Sequence, residues 1–265
     1  LSAGRPSLAV SLAGLHRSFG DDLRSYVEMA RIAEAAGADQ VVLADHLVMS
    51  DRTDRYPFGT FPFKPHEPWL EPLTTLAAIA GATERVRLVT GILIVPLRHP
   101  VVVAKTVASL DNLSGGRVDL GVGVGWQPEE YAAVGVPFNE KWSRLDDAIR
   151  ACRVLWRDVP ASFSSPSVSF EGIYCTPLPV QERLPVWYGA AMTDRLAARI
   201  AELGDGWYPI GTPSPEELAP GIDRARAALS AAGRDPGSLR VRRGLALRKG
   251  ADGELDLAAT MADVG

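Results

Sequence analysis

The chain is poor in the residue types that announce several common classes of protein. Two cysteines in 265 residues, Cys152 and Cys175, cannot build a disulfide framework. Cys152 falls on a predicted helix and Cys175 in a proline-flanked loop, so both are expected as buried or partly buried thiols in a reducing cytoplasm. No apolar run approaches the roughly eighteen residues of a membrane span, and the N-terminal stretch lacks the charged-then-apolar pattern of a signal peptide. The formal net charge is −4 with scattered Lys and Arg, which leaves no basic footprint for a nucleic acid. The one basic cluster, Arg240, Arg242 and Arg243, lies on an expected strand, in a solvated or a phosphate-facing role. No H-x-x-x-H, C-x-x-C or clustered-carboxylate pattern offers a metal set, and neither a G-x-S-x-G elbow nor a Walker sequence is found.

What is there is an ordinary globular composition, 46% hydrophobic and 23% charged, sufficient for a large core. Strand and helix signals alternate along it. LAVSLA (Leu8–Ala13) reads as a buried strand, and Asp21 is placed to cap a helix in which Leu23, Tyr26, Val27, Ala30 and Ala33 recur until Gly37. ADQVVLA (38–44) reads as a second strand that delivers Asp45 and His46 at its end. Residues 47–70 carry four prolines and the aromatics Tyr56, Phe58, Phe61 and Phe63 with no sustained period. Such a segment is a lid or binding loop, or an excursion whose aromatics pack on the rim. After a helix over 71–83, Val86–Val95 reads as one continuous strand, with a helix from His99-Pro100 and a strand over Arg117–Val124.

Further on, Trp142, Leu145, Ile149, Cys152 and Leu155 mark an amphipathic helix, and 158–184 is an insertion expected to hold a β-hairpin. PVWYGA (185–190) and DGWYPI (205–210) read as strands five and six, around a helix over Thr193–Leu203. Ser214-Pro215-Glu216-Glu217 is a helix start with a capping box, and that helix is expected to break near Pro220-Gly221 before Gly233. Arg240–Arg248 is the seventh strand. Seven such alternations predict one domain over 1–265, a (β/α)8 TIM barrel of the α/β class whose last β/α unit is absent from the chain as given. Both ends are expected to be trimmed. An open doubly wound sheet is the structural alternative.

Ligands of such folds collect where strands hand over to loops. That singles out Gly91, the run GVGVGW (Gly121–Trp126), and the pair Asp45-His46, in which His46 can shuttle a proton and Asp45 orient it or bind a donor. Structural readings stand beside these: glycines that let a helix cross a strand, an Asp45 that caps the next segment, a His46 packed in the rim. His16, after the first strand, can also face the mouth, and Glu129 and Glu130 are candidates for substrate or cofactor contact. His99 is expected to begin its helix.

ADHL (Ala44–Leu47), the long VTGILIVPLRHPVVVAKTVASLDNLSGGRVDLGVGVGW, RLDDAIRACRVLW, PVWYGA and ELGDGWYP together resemble the luciferase-like monooxygenase superfamily, and within it the deazaflavin (coenzyme F420)-dependent oxidoreductases. The resemblance covers nearly the whole chain. It implies a non-proline cis peptide at the end of strand three, here Gly91–Ile92, backing the cofactor ring. It further implies that Asp45 and His46 lie near the reactive ring face, that Gly123, Gly125 and Trp126 line the cofactor, and that Gly189-Ala190 turns before a phosphate-binding helix. The expected activity is hydride transfer between F420 and a small organic substrate in a pocket shaped by His16, Trp126 and Glu130, with His46, held by Asp45, moving the accompanying proton. An FMN-dependent monooxygenase and a non-catalytic flavin-binding protein are the alternatives, and a homodimer is implied. Two departures stand out: the sugar-phosphate dehydrogenases of this branch carry Glu where this chain has Trp126, and Gly189-Ala190-Ala191 stands where the family has paired glycines.

Overall fold

The computed structural model describes residues 6–245, 248–250, 256 and 259. The chain divides into two compact units, one formed by Leu8–Val186 and one by the chain from Trp187.

In the Leu8–Val186 unit, β1 (Ala9–Ser11), β2 (Gln40–Leu43), β3 (Arg87–Thr90) and β5 (Val118–Gly123) pair side by side, all parallel. The short β4 (Leu93–Ile94) pairs with β5 at Leu93↔Val122 and Ile94↔Gly123. Every residue of β2 and β5 is buried, as expected of parallel strands covered on both faces. The covering helices are α1 (Ser25–Ala35), α2 (Pro72–Ala80) and α3 (Pro100–Leu113). In α3 the buried positions Val103, Ala104, Val107, Ala108 and Leu110 recur at three- and four-residue spacing. A short α4 (Pro128–Ala133) follows β5, and α5 (Lys141–Leu155) buries Leu145, Ile149, Cys152 and Leu155. The hairpin expected within 158–184 is β6 (Ala161–Ser164) against β7 (Ser169–Ile173), antiparallel.

The expected third strand is two pieces. Gly91–Ile92 is cis, as the resemblance implies, and the run resumes as β4 after it. An unbroken apolar sequence carries no period that would show this interruption. Asp21 does not cap α1 either. It takes a left-handed φ of 61°, α1 begins only at Ser25, and the Asp22 carboxylate accepts the Arg24 N–H instead.

The other unit contains β8 (Val186–Gly189), β9 (Gly206–Tyr208) and β10 (Arg240–Val241), parallel in that order, with α6 (Asp194–Leu203) and α7 (Pro215–Ala231). The Ser214–Glu217 capping box is present. The predicted break in α7 is not: the helix runs through Pro220. At Gly221 a Cβ would stand 2.7 Å from the Trp207 ring, so this turn is held by close packing. β10 is shorter than expected. After Val241 the Arg242 N–H donates to the Trp207 carbonyl, its guanidinium lies 4.3 Å from the centre of the Trp187 ring, and the side chain is buried there. Residues 242–245 and 248 of the expected strand are not in strand conformation, and 246–247 lie outside the described residues.

Strands alternating with helices and pairing in parallel place the chain in the α/β class, with the repeating strand–helix unit from which (β/α)8 barrels are built.

Candidate functional site

Because β1, β2, β3 and β5 run parallel, the residues that follow them gather along one edge of the Leu8–Val186 unit. His16 follows β1, Asp45 and His46 follow β2, Gly91 and Ile92 follow β3, and Gly125, Trp126 and Glu130 follow β5.

Asp45 and His46 are adjacent in sequence but serve different partners. The Asp45 carboxylate is buried and accepts two bonds from Arg98, 2.6 Å from Nη1 and 2.9 Å from Nη2, in the fork-to-fork geometry specific to arginine. It also accepts the Ile94 backbone N–H at 2.8 Å, so it pins the chain just past the cis bond. Arg98 reaches on to Glu71 at 3.1 Å, whose other oxygen caps α2 at the Thr74 N–H. Burial pulls the Arg98 guanidinium down, and the hydrogen bonds and charges of Asp45 and Glu71 outweigh it, so its pKa lies above the ordinary arginine value.

His46 is held by Glu130, not by Asp45. The Glu130 side chain is fully buried. Its Oε1 accepts the Leu47 N–H at 2.7 Å and its Oε2 lies 3.3 Å from His46 Nδ1. An ionised Glu130 can only accept, an arrangement that puts a proton on Nδ1 and, in a neutral imidazole, leaves Nε2 as the acceptor nitrogen. The Glu130 carboxylate thus sits behind the histidine. Next to it Tyr131 donates to the Val124 carbonyl at 2.7 Å, and burial followed by the Glu130 charge raises its pKa.

The proline-rich segment 47–70 encloses His46 in aromatic rings. Trp69 stands edge-on at 4.8 Å between centroids, Phe61 at 6.0 Å and Trp126 at 6.3 Å. Tyr56 and Phe61 in turn pack on Trp126, each at 5.3 Å. The base of the segment is tied to the chain after β5: Ser50 N–H donates to Gln127 Oε1 at 2.9 Å, Gln127 Nε2 donates to Met49 Sδ, and Arg55 pairs with Glu129 at 2.9 Å. The indole N–H groups of Trp69 and Trp126 are shielded from solvent and meet no acceptor among the described residues.

The glycines of GVGVGW answer to packing. A Cβ at Gly121 would stand 2.0 Å from the Thr90 carbonyl oxygen, and one at Gly125 would stand 2.9 Å from Ile94 Cδ1, with φ at +60°. Gly121 lets β5 approach β3, and Gly125 lets the chain turn over Ile94. Gly123 is buried in β5. In the other unit, the Ala190 carbonyl accepts the Trp207 indole at 2.8 Å, and α6 opens on Thr193, whose side chain caps the Leu196 N–H, followed by the acidic Asp194.

His16 is buried. It stacks on Tyr26 at 5.9 Å between centroids, with Tyr26 Oη 3.4 Å from His16 Nδ1. Arg98, Trp69 and Gln127 went unnoticed in the sequence. Arg98 stands in PLRHP directly after the apolar run, and Trp69 at the end of the proline-rich loop; their residue types were the only available signals.

A family model described as luciferase-like monooxygenase matches residues 5–248. The chain belongs to that family. Among its relatives is an uncharacterised protein of Mycobacterium tuberculosis, 34% identical over 211 residues, which cover 78% of this chain and 74% of that one. An F420-dependent glucose-6-phosphate dehydrogenase of Gordonia bronchialis is 34% identical over 191 residues, 70% of this chain and 52% of its own length. Among solved structures, the monooxygenase RslO1 of Streptomyces bottropensis superposes with a TM-score of 0.77 at 25% identity, over 93% of this chain and 73% of that one. Luciferase-like proteins of both kinds are oxidoreductases, and this member is an oxidoreductase of the same superfamily. Among the described residues no helix is long and apolar enough to cross a membrane.

Proposed function

We propose that the chain transfers hydride between the deazaflavin F420 and a small organic substrate, at the strand ends of the Leu8–Val186 unit. The observation that carries this reading is His46. It is a buried histidine at the end of a parallel strand, fixed through Nδ1 by Glu130 and ringed by aromatics that exclude water. The residues there fit a flat, acceptor-bearing ring. Gly91 and Ile92 are half-buried, Gly125 presents no side chain, and the Trp126 indole N–H is a shielded donor in want of an acceptor. Gly91, Ile92, Gly123, Gly125 and Trp126 would form the wall against such a ring.

When bound, a deazaflavin supplies hydride exchange without oxygen chemistry. The protein orients and dries the site, and His46 Nε2 takes or returns the proton on the substrate oxygen. Asp45 acts through Arg98 and Ile94 to hold the 91–94 segment in place. The F420-dependent relative supports the deazaflavin. The likeness to RslO1 favours a second reading, an FMN-dependent monooxygenase.

Equilibrating the protein separately with F420 and with FMN and recording which absorbance spectrum survives gel filtration decides between them. Retention of neither sinks both readings. With the retained cofactor, His46→Ala is expected to lower kcat by about 10²- to 10⁴-fold at unchanged cofactor affinity. Full turnover would make His46 structural.

A further inference from the structure

The segment 47–70 is fastened in two ways. Its roots are held by buried side chains. Leu47 N–H donates to Glu130 Oε1 and Ser50 N–H to Gln127 Oε1, and neither acceptor side chain has exposed surface. At the far root Glu71 meets the largely buried Arg98 at 3.1 Å and caps α2. Parting these bonds would leave buried polar groups without partners, so both roots stay with the strand ends.

Between the roots, the segment is tied down by exposed charges. Arg55 pairs with Glu129 of α4 at 2.9 Å, and Glu67 pairs with Arg17, in the turn after β1, at 2.6 Å; the two arginine side chains are 48% and 45% exposed. Water competes for such pairs and salt screens them, so they hold weakly. The inward rings of Tyr56, Phe61 and Phe63 add apolar contacts with Trp126, His46 and Trp69, which separate without stranding a donor or acceptor. The outer face, with Phe58 and 64–66, is exposed.

Sheet order gives the placement. Arg17 follows β1 and Glu129 follows β5, while β2 and β3 lie between those strands. The two ion pairs thus stand on either side of the strand ends that carry His46 and Gly91. We infer that residues 51–67 form a hinged cover over His46, latched by Arg55–Glu129 on the β5 side and by Arg17–Glu67 on the β1 side, and that it lifts as one piece from fixed roots. Closed, it leaves His46 9% exposed. Lifting admits a reactant, and closing restores the ring enclosure that keeps water out. Such a cover serves His46 whatever reaction takes place there, and it does not rest on the choice of cofactor.

Diethyl pyrocarbonate, which acylates accessible neutral imidazoles, tests this on the whole chain without cofactor. Peptide mass spectrometry reads the four histidines separately, and His99, exposed outside the segment, sets the reference rate. In the wild type His46 is expected to react more slowly than His99, and to react roughly 2- to 5-fold faster in about 0.5 M KCl than in about 0.05 M, because the exposed pairs are screened. Glu67→Gln combined with Glu129→Gln keeps the side-chain shapes and removes both charges. It should raise the His46 rate roughly 2- to 30-fold at low salt, the worth of two exposed pairs, and remove most of the salt response. The buried Cys152 thiol reports unfolding and should stay unreactive toward a thiol reagent throughout. Equal rates for His46 and His99 in the wild type, a His46 rate indifferent to salt there, or Cys152 labelling in step with His46 would each overturn the cover. The wild-type salt series decides even where the double variant does not fold. Salt-gated labelling of His46 in a protein that retains neither F420 nor FMN would uphold the cover and remove the cofactor reading, so the two fail separately.

Discussion

At the scale of single residues, the site is two adjacent side chains with divided duties. Asp45 faces the chain and His46 faces the aromatic enclosure, because consecutive side chains leaving a strand point to opposite sides. Asp45→Ala would strand Arg98 in the interior with only Glu71 beside it. Removing one partner of a buried pair costs about 3–5 kcal/mol, so a large fall in the urea midpoint is expected. A loss within error of zero would show that Glu71 alone suffices. Glu130→Gln keeps the shape and an oxygen for the Leu47 N–H but can turn an amide N–H toward His46 Nδ1. That favours the tautomer with the proton on Nε2, so kcat should fall at least tenfold while thermal stability changes little. Restored turnover in Glu130→Asp would support positioning through the carboxylate.

These partners were not legible in the sequence. Asp45-His46 is a conspicuous dipeptide, and its chemistry is readable from residue type. That Glu130, 84 residues on, and Arg98, 53 residues on, divide the pair between them depends on which strand ends become neighbours.

At the scale of elements, glycines and carboxylates set the spacing between strands. Gly121→Ala would drive a Cβ into the Thr90 carbonyl, a backbone atom that cannot rotate away. Overpacking of that kind costs about 1–3 kcal/mol or more. The change should lower the melting temperature by several degrees, and an unchanged melting curve would refute the close contact. Glu34, near the end of α1, ties that helix to the start of β3 by accepting the N–H groups of Glu84, Arg85 and Val86. Burial pushes its carboxyl up, but the three backbone bonds more than offset this and hold it below the ordinary glutamate value. A depressed carboxyl contributes stability above its unfolded pKa and loses it as pH falls through the folded one. The wild type should therefore lose stability below about pH 4.5. Glu34→Gln should be less stable at pH 7 and show a shallower decline in acid, as measured by urea midpoints across that range.

The elements themselves followed the sequence closely. β2, β5, the hairpin and the capped start of α7 all form where residue pattern places strands, turns and caps. The misses share one cause. Pro220 was expected to break α7 on local grounds, and the packing of Gly221 on Trp207 overrides that preference. The split of the third strand hides in a continuous apolar run for which helix, strand and bulge look alike.

At the scale of the whole molecule, the core isolates its thiols. Cys152 is completely buried in α5, and burial pushes its thiol up to about 12; Cys175 is buried too. Neither should react with a thiol-specific disulfide reagent at pH 8 in the native protein, and both should react once urea unfolds it. Rapid native labelling would contradict the packing around α5.

The sequence by itself determined the α/β class and the family, and it singled out Asp45-His46 as a candidate pair, because periodicity, turn residues and motif order are local and survive in one dimension. The aromatic content of 47–70 was visible in the same way, though not where it folds. Only the tertiary structure decided what holds what: Glu130 behind His46, Arg98 on Asp45, Trp69 against His46, Gly121 at the close approach of β5 to β3 and Gly125 at the turn over Ile94. Those relations exist only after parallel pairing brings the ends of β1, β2, β3 and β5 to one edge, and a hydrogen bond between residues 84 apart leaves no trace in the chain that separates them.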